Sequence, residues 1–390
     1  MKDIDLLSIV IQTPGALTPI VWGPPGIGKS ARMRQLAAAL KLSLETVIAS
    51  IRDPSDFGGL PVPENGHGVR LEPPSWAIRL AKEGKGIVFL DEASCAPPAV
   101  QAALLRPVLE GCVGDLALPA GVRWVAAANP PDQAAGGWDL SPPMANRFVH
   151  LTWSAPAAGE WIDWLTGGDA DASFPILDLE EWARQFGQAK SLASAFLHRR
   201  PGLLSEDTTK IRGRFPLAYA TPRSWECAIR LLASCRALGL SEATLPLLAG
   251  ALGEPISVEF AAWLRSNDLP DPEKLLADPA SWTPSEKHPD RAFAVCLSVT
   301  DAALTPQSNG KAEGKEGKKD AAADKKKLHA RWHSAWRVLE RALPIGKDIV
   351  AIAARRLADP KHRPEGGLIE VDVKKVIGQL REVVAAAGIN

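Results

Sequence analysis

One short stretch near the start of the chain has residue types and spacing suited to holding phosphate. It fits the pattern G-x-x-x-x-G-K-[ST], with a β-prone run at 18–22 before it and helical periodicity after it. Glycines let the backbone N–H groups of such a loop surround phosphate oxygens at a helix N-terminus. The residues predicted to bind phosphate are Gly23, Pro24, Pro25, Gly26, Ile27, Gly28, Lys29 and Ser30.

The last two residues of this loop have distinct expected roles. Lys29 would bridge the β- and γ-phosphates of ATP, and the Ser30 hydroxyl would be a ligand of Mg²⁺. The bland alternative is a glycine-rich turn that only begins a helix. A predicted strand precedes the loop, a predicted helix follows it, and Lys-Ser stands at the spacing that the motif requires. The pattern therefore favours an ATP and Mg²⁺ site.

A second motif supplies carboxylates. The apolar run 87–90 is typical of a strand buried on both faces of a parallel sheet, and it ends in Asp91 and Glu92. Ligands bind beyond the carboxyl ends of strands in such sheets. We expect Asp91 to hold Mg²⁺ through water and Glu92 to polarise the water that attacks the γ-phosphate. Two solvated acids at a strand end are the alternative, but the adjacent second acid favours an ATP hydrolase over a kinase.

Two further polar residues stand at the ends of predicted strands. The run 122–128 ends in Asn129, which could orient the attacking water, although Asn-Pro is also an ordinary turn. Arg147 lies between a short predicted helix and a strand at 149–153, where a guanidinium suits phosphate stabilisation. At the edge of its domain it would serve the ATP of a neighbouring subunit. Arg106, on another predicted helix, is the alternative for this role.

The order of these motifs resembles an AAA+ ATPase, most closely the MoxR family. The stretches that carry the resemblance are GPPGIGKS, IVFLDEAS, WVAAANP, MANRF and YATPRSWECAIRLL. The resemblance implies Walker A at 23–30, Walker B at Asp91 and Glu92, sensor 1 at Asn129 and an arginine finger at Arg147. It also implies sensor 2 at Arg223, which would reach ATP from a helical lid; a surface arginine in a first helical turn is the alternative.

The predicted fold is α/β: a P-loop AAA+ core with a parallel sheet flanked by helices, followed by an all-helical lid and C-terminal helices. The expected domains are a core at 1–154, a lid at 155–304, a flexible Lys/Gly/Ala-rich linker or loop at 305–327 and a helical segment at 328–390. At best, 305–327 would be a fraying helix. Two hairpins are predicted, one around Asn65-Gly66 and one just before the Asn129 strand. They resemble the pore-facing loops of MoxR proteins, or are ordinary surface loops.

Composition narrows the function classes. Lys and Arg total 45, as do Asp and Glu, so the chain carries no net charge that would favour nucleic acid. A nucleic-acid-acting AAA+ ATPase, of helicase or loader type, is the alternative function, and a non-hydrolysing nucleotide switch conflicts with the paired acids. The start of the chain lacks a signal-peptide pattern, and no apolar run is long enough to span a membrane. We therefore expect a cytoplasmic protein with no membrane partner.

The remaining expectations come from cysteines, one acidic loop and the family resemblance. Five cysteines without metal-ligand spacing suggest reduced thiols, and Asp53, Asp56 and His67 fit no common metal site. The MoxR resemblance implies a ring homo-oligomer of about six subunits. It also implies a partner carrying a von Willebrand factor A domain and a client protein, which the ring would remodel, activate or supply with a metal or cofactor.

Overall fold

The computed structural model of the chain describes residues in several ranges, with side chains omitted at 317–325. The ranges are 2–15, 17–64, 66, 68–133, 138, 140–167, 174–207, 209, 218–267, 269–305, 317–361, 364, 373–374 and 376–380.

Nine strands are found in these ranges, and five of them form one parallel sheet. The strands are β1 (Thr18–Trp22), β2 (Ser43–Ile48), β3 (Leu60–Glu64), β4 (Gly68–Glu72), β5 (Lys85–Asp91), β6 (Cys112–Val113), β7 (Leu116–Ala117), β8 (Gly121–Ala128) and β9 (Phe148–Thr152). The sheet order is β2-β5-β8-β1-β9, and all four neighbouring pairs are parallel. The predicted α/β fold with a parallel sheet flanked by helices is confirmed. The hairpins β3–β4 and β6–β7 confirm the two predicted hairpins.

The central strands are apolar because both faces of the sheet are covered. Residues 86–90 of β5 and 124–128 of β8 are all buried. Ile20, Leu90 and Ala126 belong to one apolar core on one face of the sheet, together with residues of the flanking helices. This packing fixes the ends of the strands, and so fixes the polar residues that follow them.

Fifteen helices accompany the strands in the described ranges. They are α1 (Asp3–Gln12), α2 (Lys29–Ala39), α3 (Ser55–Gly58), α4 (Ser75–Glu83), α5 (Pro98–Glu110), α6 (Pro142–Ala145), α7 (Ala158–Leu165), α8 (Leu179–Arg199), α9 (Pro222–Leu238), α10 (Ser241–Leu252), α11 (Glu254–Ser266), α12 (Pro272–Ala277), α13 (Pro289–Leu304), α14 (Gly317–Ala342) and α15 (Lys347–Ala358). Two of these helices have side-chain caps at their starts. The Thr221 hydroxyl accepts a hydrogen bond from the backbone of Ser224, and Asp178 accepts two from the first turn of α8.

The chain divides into two compact units. The first contains residues 1–182 and 202–261, and the second contains 183–201 and 262–390. The second unit has its own apolar core, in which Trp332 and Trp336 of α14 are buried. Its α12 and α14 are joined by an ion pair in which two Arg331 nitrogens donate to the two Glu273 oxygens. The domain boundaries expected from the sequence stay predictions.

The stretches on either side of α13 each contain helical residues. The Pro/Asp-rich connector before α13 contains α12, because Pro272 occupies the first helical turn and Asp271 caps it through the backbone N–H of Glu273. Of the predicted flexible linker, 306–316 lie outside the described residues and 317–327 are helical. Over the part of the chain that the structure describes, no helix is both long and apolar enough to cross a membrane.

Candidate nucleotide site

The glycine-rich loop joins the end of β1 to the start of α2. The Gly23 N–H donates to the Ala128 carbonyl of β8 at 3.2 Å, so the loop begins beside the end of that strand. A side chain at Gly23 would place its Cβ 2.9 Å from the Trp153 carbonyl oxygen. Gly28 precedes α2 in the left-handed region at φ 89°, a conformation that favours glycine. The loop therefore needs glycine at these two positions, for close approach and for backbone conformation.

Lys29 is the first residue of α2, and its side chain turns back over the loop. Its Nζ donates to the carbonyls of Gly23 at 2.6 Å and Pro24 at 3.1 Å, and to Asn129 Oδ1 at 2.8 Å. Burial lowers the pKa of the Lys29 ammonium, and the nearby Asp91 carboxylate partly offsets that effect. The structure thus brings Lys29 and Asn129 together, 100 residues apart in the sequence.

The Ser30 hydroxyl donates to Asp91 Oδ2 at 2.8 Å, which joins the loop to the end of β5. A hydroxyl and a carboxylate this close are hard oxygen donors of the kind that Mg²⁺ prefers beside phosphates. The residues present fit the predicted metal. Ser30 and Asp91 would hold it, and the ion would supply positive charge to neutralise the phosphates.

Glu92 follows Asp91 in an unusual backbone conformation. Its φ of 56° lies in the left-handed region, which non-glycine residues rarely adopt and which is often found at functional sites. Its N–H donates to Asp91 Oδ1 at 3.0 Å, and its carboxylate accepts a hydrogen bond from the Ser50 hydroxyl. Ser50 was not predicted. The register that pairs Ile48 of β2 with Asp91 places Ser50 near Glu92 in the structure, and no sequence pattern marks it.

The two predicted arginines lie near one another, at the other end of the sheet. Burial, and then the positive charge of Arg223, lower the pKa of the Arg147 guanidinium. The Arg147 Nη1 donates to the Pro143 carbonyl at 2.5 Å. The residue before it, Asn146, accepts from the Thr221 hydroxyl at 2.9 Å, and the Tyr219 hydroxyl donates to the Pro142 carbonyl at 2.8 Å. These bonds hold the start of α9 against α6.

Strand register shows how far this pair lies from the loop. Arg147 directly precedes Phe148, which pairs with Thr18 at the start of β1, whereas the loop follows Trp22 at the end of β1. Four residue steps of a strand span about 13 Å. Within one chain, therefore, the structure brings residues 29–30, 91–92 and 129 together at one end of the sheet. The two arginines lie at the other end.

Arg106 and the acidic loop complete the predicted candidates. Arg106 Nη1 donates to the Gly114 carbonyl at 3.1 Å, and its Nε lies 3.3 Å from Glu110, so the side chain is held by its own hairpin and helix. The Asp56 carboxylate accepts from the Asp53 N–H at 3.2 Å, and His67 lies outside the described residues. Where side chains are described, no group of three His, Cys, Asp or Glu is placed to hold a metal.

A buried histidine connects the two ends of the sheet. Trp22 Nε1 donates to His150 Nδ1 at 3.0 Å, and His150 Nε2 lies 2.9 Å from the Ala145 carbonyl. Because Nδ1 accepts, Nε2 carries the proton and donates to Ala145. Trp22 precedes the phosphate loop and Ala145 ends α6, so the imidazole joins the loop side of the sheet to the arginine side. Neither partner was predicted from the sequence.

The fold and this site define a nucleotide-binding α/β domain of the P-loop type. Residues 19–148, a third of the chain, match the AAA domain model of the dynein-related subfamily. This part of the chain is therefore similar to AAA domains. No curated protein matches the chain.

Two solved structures match the chain at low sequence identity. A proposed ATPase from Cytophaga hutchinsonii is 18% identical, and the match covers 68% of this chain and 88% of that one with a TM-score of 0.45. A full-length MCM homologue from Methanopyrus kandleri is also 18% identical, with coverages of 67% and 54% and a TM-score of 0.34. This chain thus spans about half of the MCM homologue. Both TM-scores are below 0.5, so neither structure bears on function.

Proposed function

We propose that the chain is a Mg-ATP-dependent ATPase of the MoxR type, which works as a ring of identical subunits. The observation that carries the proposal is the division of charged groups between the two ends of one sheet. Lys29, Asp91, Glu92 and Asn129 lie at the carboxyl ends of the strands, and Arg147 lies at the amino end of β9. A ring of identical subunits repeats one interface. That interface would bring the carboxyl end of one subunit's sheet near the amino end of its neighbour's sheet.

At the carboxyl end, each side chain has a part in hydrolysis. Lys29 exchanges its carbonyl partners for phosphate oxygens, to which an ammonium donates strong charge-assisted hydrogen bonds. Asn129, now bonded to Lys29, is then able to orient a water molecule beside the γ-phosphate. Glu92 accepts the proton of that water as general base, once its carboxylate leaves Ser50. The product of this chemistry is ADP and phosphate.

At the amino end, two like charges stand close to one another. No carboxylate of the described residues pairs with Arg147 or Arg223, so repulsion between them is relieved best by an anion from outside the chain. The transferred phosphate of a neighbouring subunit has that charge and benefits from guanidinium donors in the transition state. We therefore assign both arginines to the neighbour's ATP.

The work of the ring is remodelling or activation of a client protein, with a von Willebrand factor A domain protein as partner. The MoxR resemblance supports this assignment, and the two hairpins supply exposed surface for it. Leu60 of β3 and Val69 of β4 are 61% and 62% exposed, as apolar contact residues for another protein would be. Metal or cofactor insertion into the client is the task that the resemblance suggests.

Light scattering of the Glu92→Gln protein with and without Mg-ATP tests the proposal, together with phosphate release by the unaltered chain. We expect ATP hydrolysis and an ATP-dependent rise in mass to about six subunits. A chain that binds ATP without hydrolysing it, and stays a monomer, would contradict the proposal. Stimulation of hydrolysis by DNA that weakens with salt would instead support the nucleic-acid-acting alternative.

A further inference from the structure

A cavity of about 550 Å³ opens beside the phosphate loop, within the first unit. One wall is the loop itself at 25–28, and another is the start of α1. The third wall is α7, from which Glu160, Trp161 and Trp164 line the space. The cavity lies next to the groups assigned to the phosphates and is the size of a small-molecule site. It is therefore placed to receive whatever is attached to those phosphates.

The α7 helix is unusual because all of its large apolar side chains are exposed. Trp161 and Trp164 are 50% and 47% exposed, and none of the eight residues of α7 is buried. The two indoles are three residues apart, so they share one face of the helix, and that face lines the cavity. Ile162 and Leu165 are also exposed but do not line it. Half-exposed indoles on a cavity wall offer flat apolar faces to a ligand.

The opposite walls of the cavity are held firmly by polar contacts. The Ser154 N–H donates to Asp3 Oδ2 at 3.1 Å, which ties the segment before α7 to the start of α1. The Arg32 guanidinium of α2 lies 5.6 Å from the centre of the Trp153 ring, in a cation–π contact. The α7 wall differs from these walls because its large apolar side chains are exposed.

We propose that Trp161 and Trp164 bind the purine base of the nucleotide by stacking, and so make the site selective for purine over pyrimidine nucleoside triphosphates. This inference rests on the proposed function, because it places the base by reference to phosphates held at 23–30. Stacking on aromatic side chains is favourable for every base. A purine gains more because its two fused rings cover more of an indole face than the single ring of a pyrimidine.

The test compares two ligands that share the phosphates and differ in the base. Titration calorimetry measures the affinity of the full chain for ATP and for inorganic tripolyphosphate, with Mg²⁺ present. The variants are Trp161→Ala/Trp164→Ala, the matched control Ile162→Ala/Leu165→Ala on the same helix, and Lys29→Ala. We expect the tryptophan pair to lower ATP affinity roughly tenfold or more while leaving tripolyphosphate affinity unchanged. The control pair should change neither affinity, and Lys29→Ala should weaken both.

Competition by CTP sharpens the same test. The unaltered chain should bind ATP and GTP more tightly than CTP, and the tryptophan variant should lose most of that preference. Unchanged ATP affinity in the tryptophan variant, with Lys29→Ala still impaired, would overturn this inference and leave the proposed function standing. An equal loss for ATP and tripolyphosphate would also overturn it, because α7 would then act by supporting the loop. Failure of the unaltered chain to bind either ligand would overturn both proposals.

Discussion

The two ends of the parallel sheet both carry charged side chains, but they differ in how those side chains are satisfied. At the carboxyl end, Lys29 is bonded to Asn129, Ser30 to Asp91, and Glu92 to Ser50. At the amino end, two arginines stand close together and Arg147 has only a carbonyl partner among the described residues.

This difference separates what one chain can do alone from what it needs a neighbour to do. The carboxyl end holds donors and acceptors within hydrogen-bonding distance of one another, so we expect one chain to suffice for binding ATP. The amino end has two like charges, which an anion from another molecule would compensate. We therefore expect substitutions at the carboxyl end to abolish binding or chemistry in every subunit, and those at the amino end to affect only assembled subunits.

Lys29→Ala should have the largest effect, because it removes the ammonium that contacts both the loop carbonyls and Asn129. We expect ATP affinity to fall roughly a hundredfold or more and turnover to be lost, since charge-assisted hydrogen bonds to phosphate are the strong ones. Calorimetry and phosphate release measure the two quantities. The exposed Lys82→Ala on α4 is the control and should behave as the unaltered chain. Normal turnover in Lys29→Ala would remove the basis of the assignment.

Glu92→Gln should separate binding from chemistry at the carboxyl end. The amide keeps the size of the side chain and its bond to Ser50 but cannot accept a proton from water. Because the general base is lost, we expect turnover to fall about 10³-fold while ATP affinity is retained. Glu64→Gln, on the exposed hairpin strand β3, should leave both unchanged. Comparable turnover in the two glutamine variants would show that Glu92 is not the base.

Arg147→Ala tests the amino end. We expect turnover to fall at least tenfold under conditions of assembly, with little change in the ATP affinity of the unassembled subunit. Arg223→Ala should act in the same direction, and Arg147→Lys should restore little, because an ammonium lacks the planar fork of a guanidinium. Arg106→Ala is the control, since its side chain is held within its own hairpin. A loss in Arg106→Ala but not in Arg147→Ala would transfer the role to Arg106.

His150 tests the link between the two ends through stability, with no direct part in the chemistry. Burial lowers the pKa of His150 to about 4, against 6.5 in an unfolded chain. Between pH 4 and pH 6.5 the unfolded chain binds more protons than the folded chain does. The free energy of unfolding therefore falls as the pH drops from 6.5 to 4. Protonation of His150 should lower the free energy of unfolding by about 3 kcal/mol in all.

Urea unfolding across this pH range measures that contribution. His150→Gln supplies the comparison, because glutamine does not titrate. The difference in unfolding free energy between the two proteins should shrink on acidification. A constant difference from pH 7 to pH 4 would show that the imidazole is not held neutral between Trp22 and Ala145.

The sequence predicted the carboxyl end well because its residues lie at the ends of apolar runs. Parallel strands align those ends, so Asp91 and Asn129 had to meet the phosphate loop. The roles of these residues in hydrolysis stay predictions. The fold class followed from the same runs.

Other features depended on contacts that local patterns do not encode. The place of Arg223 depends on bonds between α9 and α6, which are far apart in the sequence. The stretch AGEWIDWL has the periodicity of a helix with a buried face, yet all of α7 remains at least partly exposed. Ser50 contacts Glu92 across the ends of two neighbouring strands, and the Glu92 backbone there is left-handed. Sequence periodicity could not have shown any of the three.

Mixing two inactive variants tests the central claim most directly. In equal mixtures of Arg147→Ala and Glu92→Gln subunits, an Arg147→Ala site with an intact Glu92 can receive the arginine of a Glu92→Gln neighbour. If the two variants assemble at random, about a quarter of the sites would have an intact Glu92 and an intact Arg147 from the neighbour. We predict that phosphate release recovers to roughly that fraction of the unaltered rate. No recovery at any mixing ratio, in mixtures shown by light scattering to assemble, would contradict the claim that the two ends of the sheet act together across a subunit boundary.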